Sequence, residues 1–99
     1  MKYLRGGVTA PTGFVAAGVR CGIRKTRDKK DLALIYSERE CTAAACYTLN
    51  KVLGQPLIVT KKHLADGKAH AIIVNSGNAN TCTGEAGLAA AKRMAELVS

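Results

Sequence analysis

A run of glycine and asparagine is the part of the sequence best suited to chemistry. It reads Asn75-Ser76-Gly77-Asn78-Ala79-Asn80 and lies between an apolar stretch and a helical pattern. Because Gly and Asn adopt left-handed backbone conformations at low cost, such a loop can turn several N–H groups inward. Donors between a buried strand and a helix lie where anionic or oxyanionic groups are commonly held. These residues leave two interpretations open: a substrate-site loop of Asn75, Ser76, Gly77, Asn78 and Asn80, or an ordinary strand-to-helix turn built from turn-forming residues.

A second reactive group is Cys82, which lies just ahead of the last helical pattern. The N-terminus of a helix favours the nucleophilic thiolate form of a nearby cysteine. A thiol mechanism also needs a base, and the two histidines of the chain, His63 and His70, lie in no cysteine-protease signature. We therefore favour a small packed or capping cysteine over a nucleophile.

Other catalytic and metal-binding signatures do not occur in the sequence. Cys41 and Cys46 form a Cys-x4-Cys spacing without a second close pair, which does not fit a zinc site. The sequence contains no P-loop, no Gly-x-Ser-x-Gly elbow and no dinucleotide-binding glycine fingerprint. We expect no metal and no cofactor. Taken by themselves, the residues indicate an α/β fragment with a donor-rich loop.

Apolar runs predict the strands that position this loop. Ala69–Val74 leads directly into it and has the clearest strand pattern. We also predict strands at Phe14–Ile23 and at Leu32–Tyr36, the latter buried on both faces because its apolar run is continuous. Ala43–Leu49 is predicted as another strand, although its alanines favour helix.

The middle of the chain combines a break with a short helix. Gly54-Gln55-Pro56 interrupts the pattern, and Leu57–Val59, which includes the β-branched Ile58 and Val59, is predicted as a short strand. Thr60 then provides an N-cap hydroxyl for a helix over residues 61–66, and Gly67 ends it.

A longer helix is predicted from about Gly84 to the end of the chain. Thr83 is its expected N-cap, and Glu85 places negative charge in the first turn. Lys92 and Glu96 are expected to face away from its apolar side. That apolar side consists of Leu88, Ala91, Met94, Ala95 and Val98. No stop signal follows, so we expect the helix to lead into further chain. The order of elements predicts an α/β fold of mixed α+β layers.

Composition limits what the chain can be. Its 99 residues suit one unit, and its core is expected to be thin because alanine supplies 16 of them. We therefore expect further chain or a partner to complete it. No apolar run of about 18 residues occurs and no apolar region follows the N-terminal charges, which predicts a soluble cytoplasmic protein without a membrane segment. With no export signal, free thiols are expected at the four cysteines, Cys21, Cys41, Cys46 and Cys82.

The net charge of +8 raises the possibility of nucleic-acid binding, since Lys and Arg neutralise phosphates. Basic residues cluster between Arg20 and Lys30. The few aromatic residues are scattered, however, and form no stacking platform. We therefore favour a solvated basic connection over residues 24–30 and expect no nucleic-acid partner. A small basic RNA-binding module stays open as an alternative, as does a non-catalytic fragment that docks on a partner.

Three segments give the chain a specific resemblance. They are residues 7–14 (Gly-Val-Thr-Ala-Pro-Thr-Gly-Phe), residues 30–35 (Lys-Asp-Leu-Ala-Leu-Ile) and, above all, residues 74–85 (Val-Asn-Ser-Gly-Asn-Ala-Asn-Thr-Cys-Thr-Gly-Glu). Together they resemble the opening of the ornithine acetyltransferase (glutamate N-acetyltransferase) family, and the resemblance extends over essentially the whole chain.

The resemblance implies an enzyme of arginine biosynthesis that moves an acetyl group from N-acetylornithine to glutamate. Some members also accept acetyl-CoA. Members cleave themselves at an Ala-Thr bond, and the freed Thr of the β chain becomes the nucleophile, with its own α-amino group as base. The α and β chains stay together, typically as a heterotetramer.

The resemblance also implies that the catalytic groups lie outside this chain. The family's Thr-Gly oxyanion pair, in a Ser-Thr-Gly-Val-Ile-Gly stretch, and its cleavage site are both expected beyond Ser99. We therefore assign no catalytic residue. Residues 1–99 are expected to be the N-terminal segment of an α chain, inactive alone. They would form a fragment of an α/β fold with an N-terminal-nucleophile active site, completed by other chain.

Overall fold

The computed structural model describes Tyr3, residues 5–23 and residues 29–99. They form two compact units, one of Met1–Cys41 with His70–Gly77 and the other of Thr42–Ala69 with Asn78–Ser99. The chain passes between the units three times, so neither unit is a continuous stretch of sequence. That residues 1–99 act as one N-terminal segment of an α chain stays a prediction.

A three-stranded sheet dominates the first unit, with strands in the order β1-β2-β3. The strands are β1 (Phe14–Val19), β2 (Leu32–Thr42) and β3 (Lys68–Asn75). β1 and β2 are antiparallel, with Phe14 opposite Ser37 and Val19 opposite Leu32. The two ends of β2 are bonded to the opposite ends of β3, through Ser76 N to Asp31 O and Ala43 N to Gly67 O, so β3 is also antiparallel to β2.

Strands are confirmed at β1 and β3, but β1 ends at Val19 and not at Ile23, since Gly22 has a φ of +88 and leaves the extended conformation. β2 differs from expectation in length and burial. β3 alternates between exposed and half-buried residues along its whole length, as a strand with one covered face does. β2 continues to Thr42, and its burial on both faces was wrong: residues 32–35 are half-buried and Tyr36 is 43% exposed. The residues described in this unit include no helix, and they form no second layer that covers the sheet.

Two packed helices form the second unit, α1 (Gln55–His63) and α2 (Gly84–Val98). Val59 of α1 and Ala91 of α2 are each 6% exposed, and they are the buried apolar residues of the described chain. Three expectations for α1 were wrong. Leu57–Val59 is helical and not a strand, Thr60 lies inside the helix and not at its N-cap, and the helix ends at His63 and not at residue 66.

The physical reason for these errors is the proline. Pro56 stands in the first turn of α1, where a fixed φ suits the helix and a missing N–H leaves no bond unmade. Gly54 is the N-cap, so Gly54-Gln55-Pro56 is the start of a helix and not only a break in the pattern. Gly67 adopts φ +71 and ends the turns that follow α1, as expected of a glycine stop.

The predicted strand at Ala43–Leu49 is also wrong. Residues 43–50 have no regular secondary structure, and only Ala43 continues the ladder, by donating to Gly67 O at 2.7 Å. Small alanine side chains give a strand little surface to pack on its neighbours, so the ladder ends where they begin.

The final helix is confirmed, and so is the prediction of which of its faces is the more buried. Of its expected apolar side, Ala91 is buried and the other four residues are half-buried, while Lys92 and Glu96 are exposed. Thr83 occupies the N-cap position and Glu85 the first turn, but the Thr83 side chain makes no capping hydrogen bond to the helix. No described helix is both long and apolar enough to span a membrane. In the basic segment, Lys29 and Lys30 are exposed, whereas residues 24–28 lie outside the described residues.

Candidate functional site

The first half of the predicted loop, residues 75–77, belongs to the sheet unit and is its last segment in the sequence. Asn75 is the last residue of β3, and the Ser76 N–H donates to the main-chain oxygen of Asp31 at 2.9 Å. Gly77 has φ +93, in the region that only glycine enters without strain. The expected left-handed backbone is therefore present at Gly77. The Ser76 N–H, by contrast, is bonded inside the unit and is not available to a ligand.

Asp31 accepts the hydrogen bond from Ser76 at the start of the loop, and it was not identified as a site residue from the sequence. Its side chain is 2% exposed, and Oδ1 accepts a hydrogen bond from Cys21 N at 2.7 Å. Its own N–H donates to Val19 O at 3.0 Å. A hydrogen bond between the Cys21 thiol and the Asp31 carboxylate raises the pKa of that thiol, because only the protonated sulfur can donate it. The available signal was an acidic residue that ends a basic segment just before an apolar strand.

The second half of the loop belongs to the helical unit, where Asn80 connects three segments. Its Nδ2 donates to Gly87 O at 2.8 Å, and its Oδ1 accepts a hydrogen bond from the Thr83 hydroxyl. Its main-chain oxygen accepts from Gln55 N at 2.8 Å. The Asn80 side chain therefore fixes the start of α2. Asn78 is exposed. Of the five predicted residues, Asn75, Ser76 and Gly77 lie in the sheet unit, and Asn78 and Asn80 lie in the helical unit.

Gly87 is a second residue that sequence reasoning missed. It is buried in the first turns of α2, and a Cβ there would overlap Oγ1 and Cβ of Thr83 and Oδ1 of Asn80. The sequence signal was a glycine inside a helical pattern, which costs helix stability and so indicates a packing reason.

Cys82 stands at an unusual backbone position but lacks a partner for thiol chemistry. Among the described residues it is the one non-glycine residue with positive φ, at +59, and its side chain is exposed. No hydrogen bond joins it to His63 or His70, both of which are described. All four cysteines carry free thiols, as expected. Within the described ranges, no cluster of His, Cys, Asp or Glu could hold a metal ion.

Two grooves flank α1 in the helical unit. One, of about 410 Å³, lies between α1 and α2 and is lined by Ile58, Lys62 and Leu88 among others. The other, of about 440 Å³, includes Tyr47, whose ring centroid is 5.7 Å from Lys61 Nζ. Residues 75–80 line neither groove.

This fold is similar to that of solved proteins of arginine biosynthesis. The crystal structure of the arginine biosynthesis bifunctional protein ArgJ from Bacillus halodurans matches with a TM-score of 0.87 and 46% identity, over 93% of this chain and 48% of that one. Ornithine acetyltransferase from Mycobacterium tuberculosis, solved in complex with ornithine, matches with a TM-score of 0.85 and 47% identity over the same shares.

A model of the ArgJ family matches residues 15–99, and the chain belongs to that family. The ArgJ protein of Caldanaerobacter subterraneus is 52% identical over 99 residues, which are all of this chain and 24% of the relative. That of Symbiobacterium thermophilum is 47% identical over 100 residues and is covered to 25%. The chain thus spans about a quarter of the length of these relatives, and the resemblance of its three sequence segments is confirmed.

Proposed function

We propose that these residues are the N-terminal part of an ornithine acetyltransferase that moves an acetyl group from N-acetylornithine to glutamate in arginine biosynthesis. The observation that carries the proposal is the match over 93% of the chain, at 47% identity, to an ornithine acetyltransferase that holds ornithine. The relatives are bifunctional proteins, which supports acetyl-CoA as a second acetyl donor.

In this proposal the reacting groups come from other parts of the enzyme. A Thr at the start of the β chain attacks the acetyl carbonyl, its α-amino group takes the proton, and ornithine leaves as the acetyl-enzyme forms. Glutamate then takes the acetyl group by its amine. A Thr-Gly pair beyond Ser99 stabilises the oxyanion. The lack of a hydrogen bond from Cys82 to His63 or His70, both of them described, supports a nucleophile outside residues 1–99.

The loop of Asn75, Ser76, Gly77, Asn78 and Asn80 lies near the acetyl-transfer site and shapes it. Support for this role comes from Gly77, which holds a backbone conformation that other residues enter only with strain. Asn80 contributes by fixing the first turn of α2 and not by touching the substrate, because both polar groups of its side chain are bonded within its own unit.

The partners of this segment are the remaining α chain and the β chain of the same enzyme, assembled as a heterotetramer in the cytoplasm. The extent of the relatives supports the need for further chain, since the described segment matches a quarter of their length. Exposed apolar side chains on the sheet, such as Ile72 at 56% and Val19 at 51%, support burial against that further chain.

A direct assay tests the proposed activity. The complete enzyme is incubated with N-acetylornithine and glutamate, and N-acetylglutamate is followed by mass spectrometry. We expect release of ornithine in equal amount and a ping-pong pattern of initial rates. Replacing N-acetylornithine by acetyl-CoA tests the second donor. A complete enzyme that forms no N-acetylglutamate from either donor would remove the proposed function.

A further inference from the structure

Asp31 is the buried ionisable side chain of the described residues, and the proposed reaction gives it no role. It is 2% exposed, and Ser37 at 6% is the other buried polar residue of the described chain. Moving a carboxylate out of water is costly unless hydrogen bonds hold it. The hydrogen bonds of Asp31 therefore have to offset the cost of burying its carboxylate.

Three hydrogen bonds at Asp31 join it to two separate segments of the sheet unit. Its carboxylate accepts from Cys21 N at 2.7 Å, its N–H donates to Val19 O at 3.0 Å, and its main-chain oxygen accepts from Ser76 N at 2.9 Å. The first two bonds fix Asp31 to the end of β1 and the residues after it. The third then fixes the first residue of the loop after β3. Ser76 is therefore held by a residue that is itself held at a second point.

A carboxylate that accepts a main-chain N–H forms a charge-assisted hydrogen bond, which is roughly twice as strong as a neutral one. Loss of that bond leaves the Cys21 N–H without its partner and loosens the segment that carries the Asp31 carbonyl, although the main-chain bond from Asp31 N–H to Val19 O is kept. A displacement of that carbonyl moves Ser76 and the adjacent Gly77, which has a φ of +93 and little resistance to a change of backbone conformation.

We propose that Asp31 is a positioning residue: its side chain anchors the segment whose carbonyl holds Ser76, and so sets the conformation of the loop that shapes the acetyl-donor site. The link to the acetyl donor rests on the proposed function. Asp31 touches no reacting atom in this proposal and acts only through Ser76 and Gly77.

The test uses three variants of the complete enzyme. Asp31→Ala removes the acceptor, Asp31→Asn keeps a neutral oxygen acceptor, and Ser37→Ala is the matched control. Ser37 is a buried hydrogen-bonding residue of the same sheet, and among the described residues its hydroxyl bonds within β2, to Arg39 and Cys41. It therefore matches the loss of a buried polar side chain without reaching the loop.

The kinetic expectation is a change in KM. Asp31→Ala should raise the KM for N-acetylornithine about tenfold and change kcat less than about twofold, because a displaced loop weakens binding of the donor. Asp31→Asn should fall between Asp31→Ala and the wild type. Ser37→Ala should keep the wild-type KM even where its melting temperature falls. A purely structural role would reduce the amount of active enzyme, which lowers apparent kcat and leaves KM unchanged.

Amide hydrogen exchange provides a readout without activity. Exchange at Ser76 and Gly77 should be faster in both Asp31 variants than in Ser37→Ala, since only they loosen the hold on the loop. Equal exchange in Asp31→Asn and Ser37→Ala, or a KM unchanged in Asp31→Ala, would overturn the proposal. If Asp31→Ala does not fold, the comparison of Asp31→Asn with Ser37→Ala decides. A wild type without acetyl transfer would remove the proposed function, while the exchange result would still decide whether Asp31 positions the loop.

Discussion

At Gly87, helix propensity and steric overlap have opposite effects on the stability of an alanine variant. In an exposed helix, replacing Gly by Ala gains about 1 kcal/mol of helix propensity. In α2, however, the added Cβ would overlap the side chains of Thr83 and Asn80. Overpacking of this kind costs about 1–3 kcal/mol and also displaces the hydrogen bond from Asn80 to Gly87 O. The overlap should therefore outweigh the propensity.

We expect Gly87→Ala to lower the free energy of unfolding of the complete enzyme, measured by chemical denaturation. Ala90→Gly, at an exposed position of the same helix, is the control and should cost about 1 kcal/mol by propensity alone. A Gly87→Ala variant more stable than the wild type would show that the close approach of Thr83 is wrong.

Gly77 should affect acetyl transfer more than folding. Its φ of +93 means that Gly77→Val adds a β-branched side chain in a disfavoured region, at about 1–3 kcal/mol of strain. Asn78→Ala should show a milder loss of rate. Both the transfer rate and the melting temperature of the complete enzyme are measured.

Cys82→Ser is the control for these loop variants, because a near-isosteric change at an exposed residue should leave both values close to those of the wild type. The opposite pattern, with activity abolished by Cys82→Ser and retained by Gly77→Val, would favour a thiol mechanism.

The residues that sequence could and could not identify differ in the range of their contacts. Gly77 was predictable because its conformational freedom is a property of glycine in a loop. Asp31 and Gly87 were not, because their roles depend on Cys21 and Ser76 in one case and on Asn80 and Thr83 in the other. In a single sequence, an Asp that will be buried cannot be distinguished from other acidic residues beside basic ones. A glycine within a helical pattern indicates only a loss of helix stability.

At the scale of elements, α1 shows why short apolar runs are ambiguous. Leu57–Val59 is a short apolar run with two β-branched residues, Ile58 and Val59, and such a run cannot be assigned by periodicity alone. The decisive signal was Pro56, which suits a first helical turn as well as a break. β3 and α2 were predictable because each repeats one pattern over 8 and 15 residues respectively.

Helical geometry at α1 predicts different costs for two adjacent residues. Val59 is 6% exposed and packs in the α1–α2 interface, so Val59→Ala should cost about 2 kcal/mol of unfolding free energy. Ile58 is 45% exposed, and Ile58→Ala should cost clearly less although it removes more carbon atoms. Chemical denaturation of the complete enzyme measures both. An Ile58→Ala loss equal to or larger than that of Val59→Ala would mean that the buried face of α1 is assigned wrongly.

At the scale of the molecule, residues 1–99 bury little apolar surface by themselves. Val59 and Ala91 are the buried apolar residues of the described chain, whereas Leu49 is fully exposed and Leu97 is 68% exposed. A chain of this size has little margin of stability unless its core is well packed. The thin core was predictable from alanine content; which side chains stay open was not, because that depends on the arrangement of the elements.

We therefore expect the isolated 99-residue chain to unfold over a broad, weakly cooperative transition and to transfer no acetyl group. Circular dichroism against temperature and the N-acetylglutamate assay measure the two outcomes, with the complete enzyme as control. A sharp two-state melt at low concentration would show that these residues make a complete domain, and turnover by the chain alone would place a nucleophile within it.

The separation in sequence of β2 and β3 has a consequence for synthesis on the ribosome. Thr42 ends β2, whereas β3 begins at Lys68 and ends at Asn75. At about 5–20 residues per second, the growing chain carries β2 with one unpaired edge for roughly one to seven seconds. Nascent chains risk pairing with each other at such an edge, and charged side chains oppose it. Glu38, Arg39 and Glu40 occupy the exposed second half of β2, and there they discourage association between neighbouring chains on a polysome until β3 arrives.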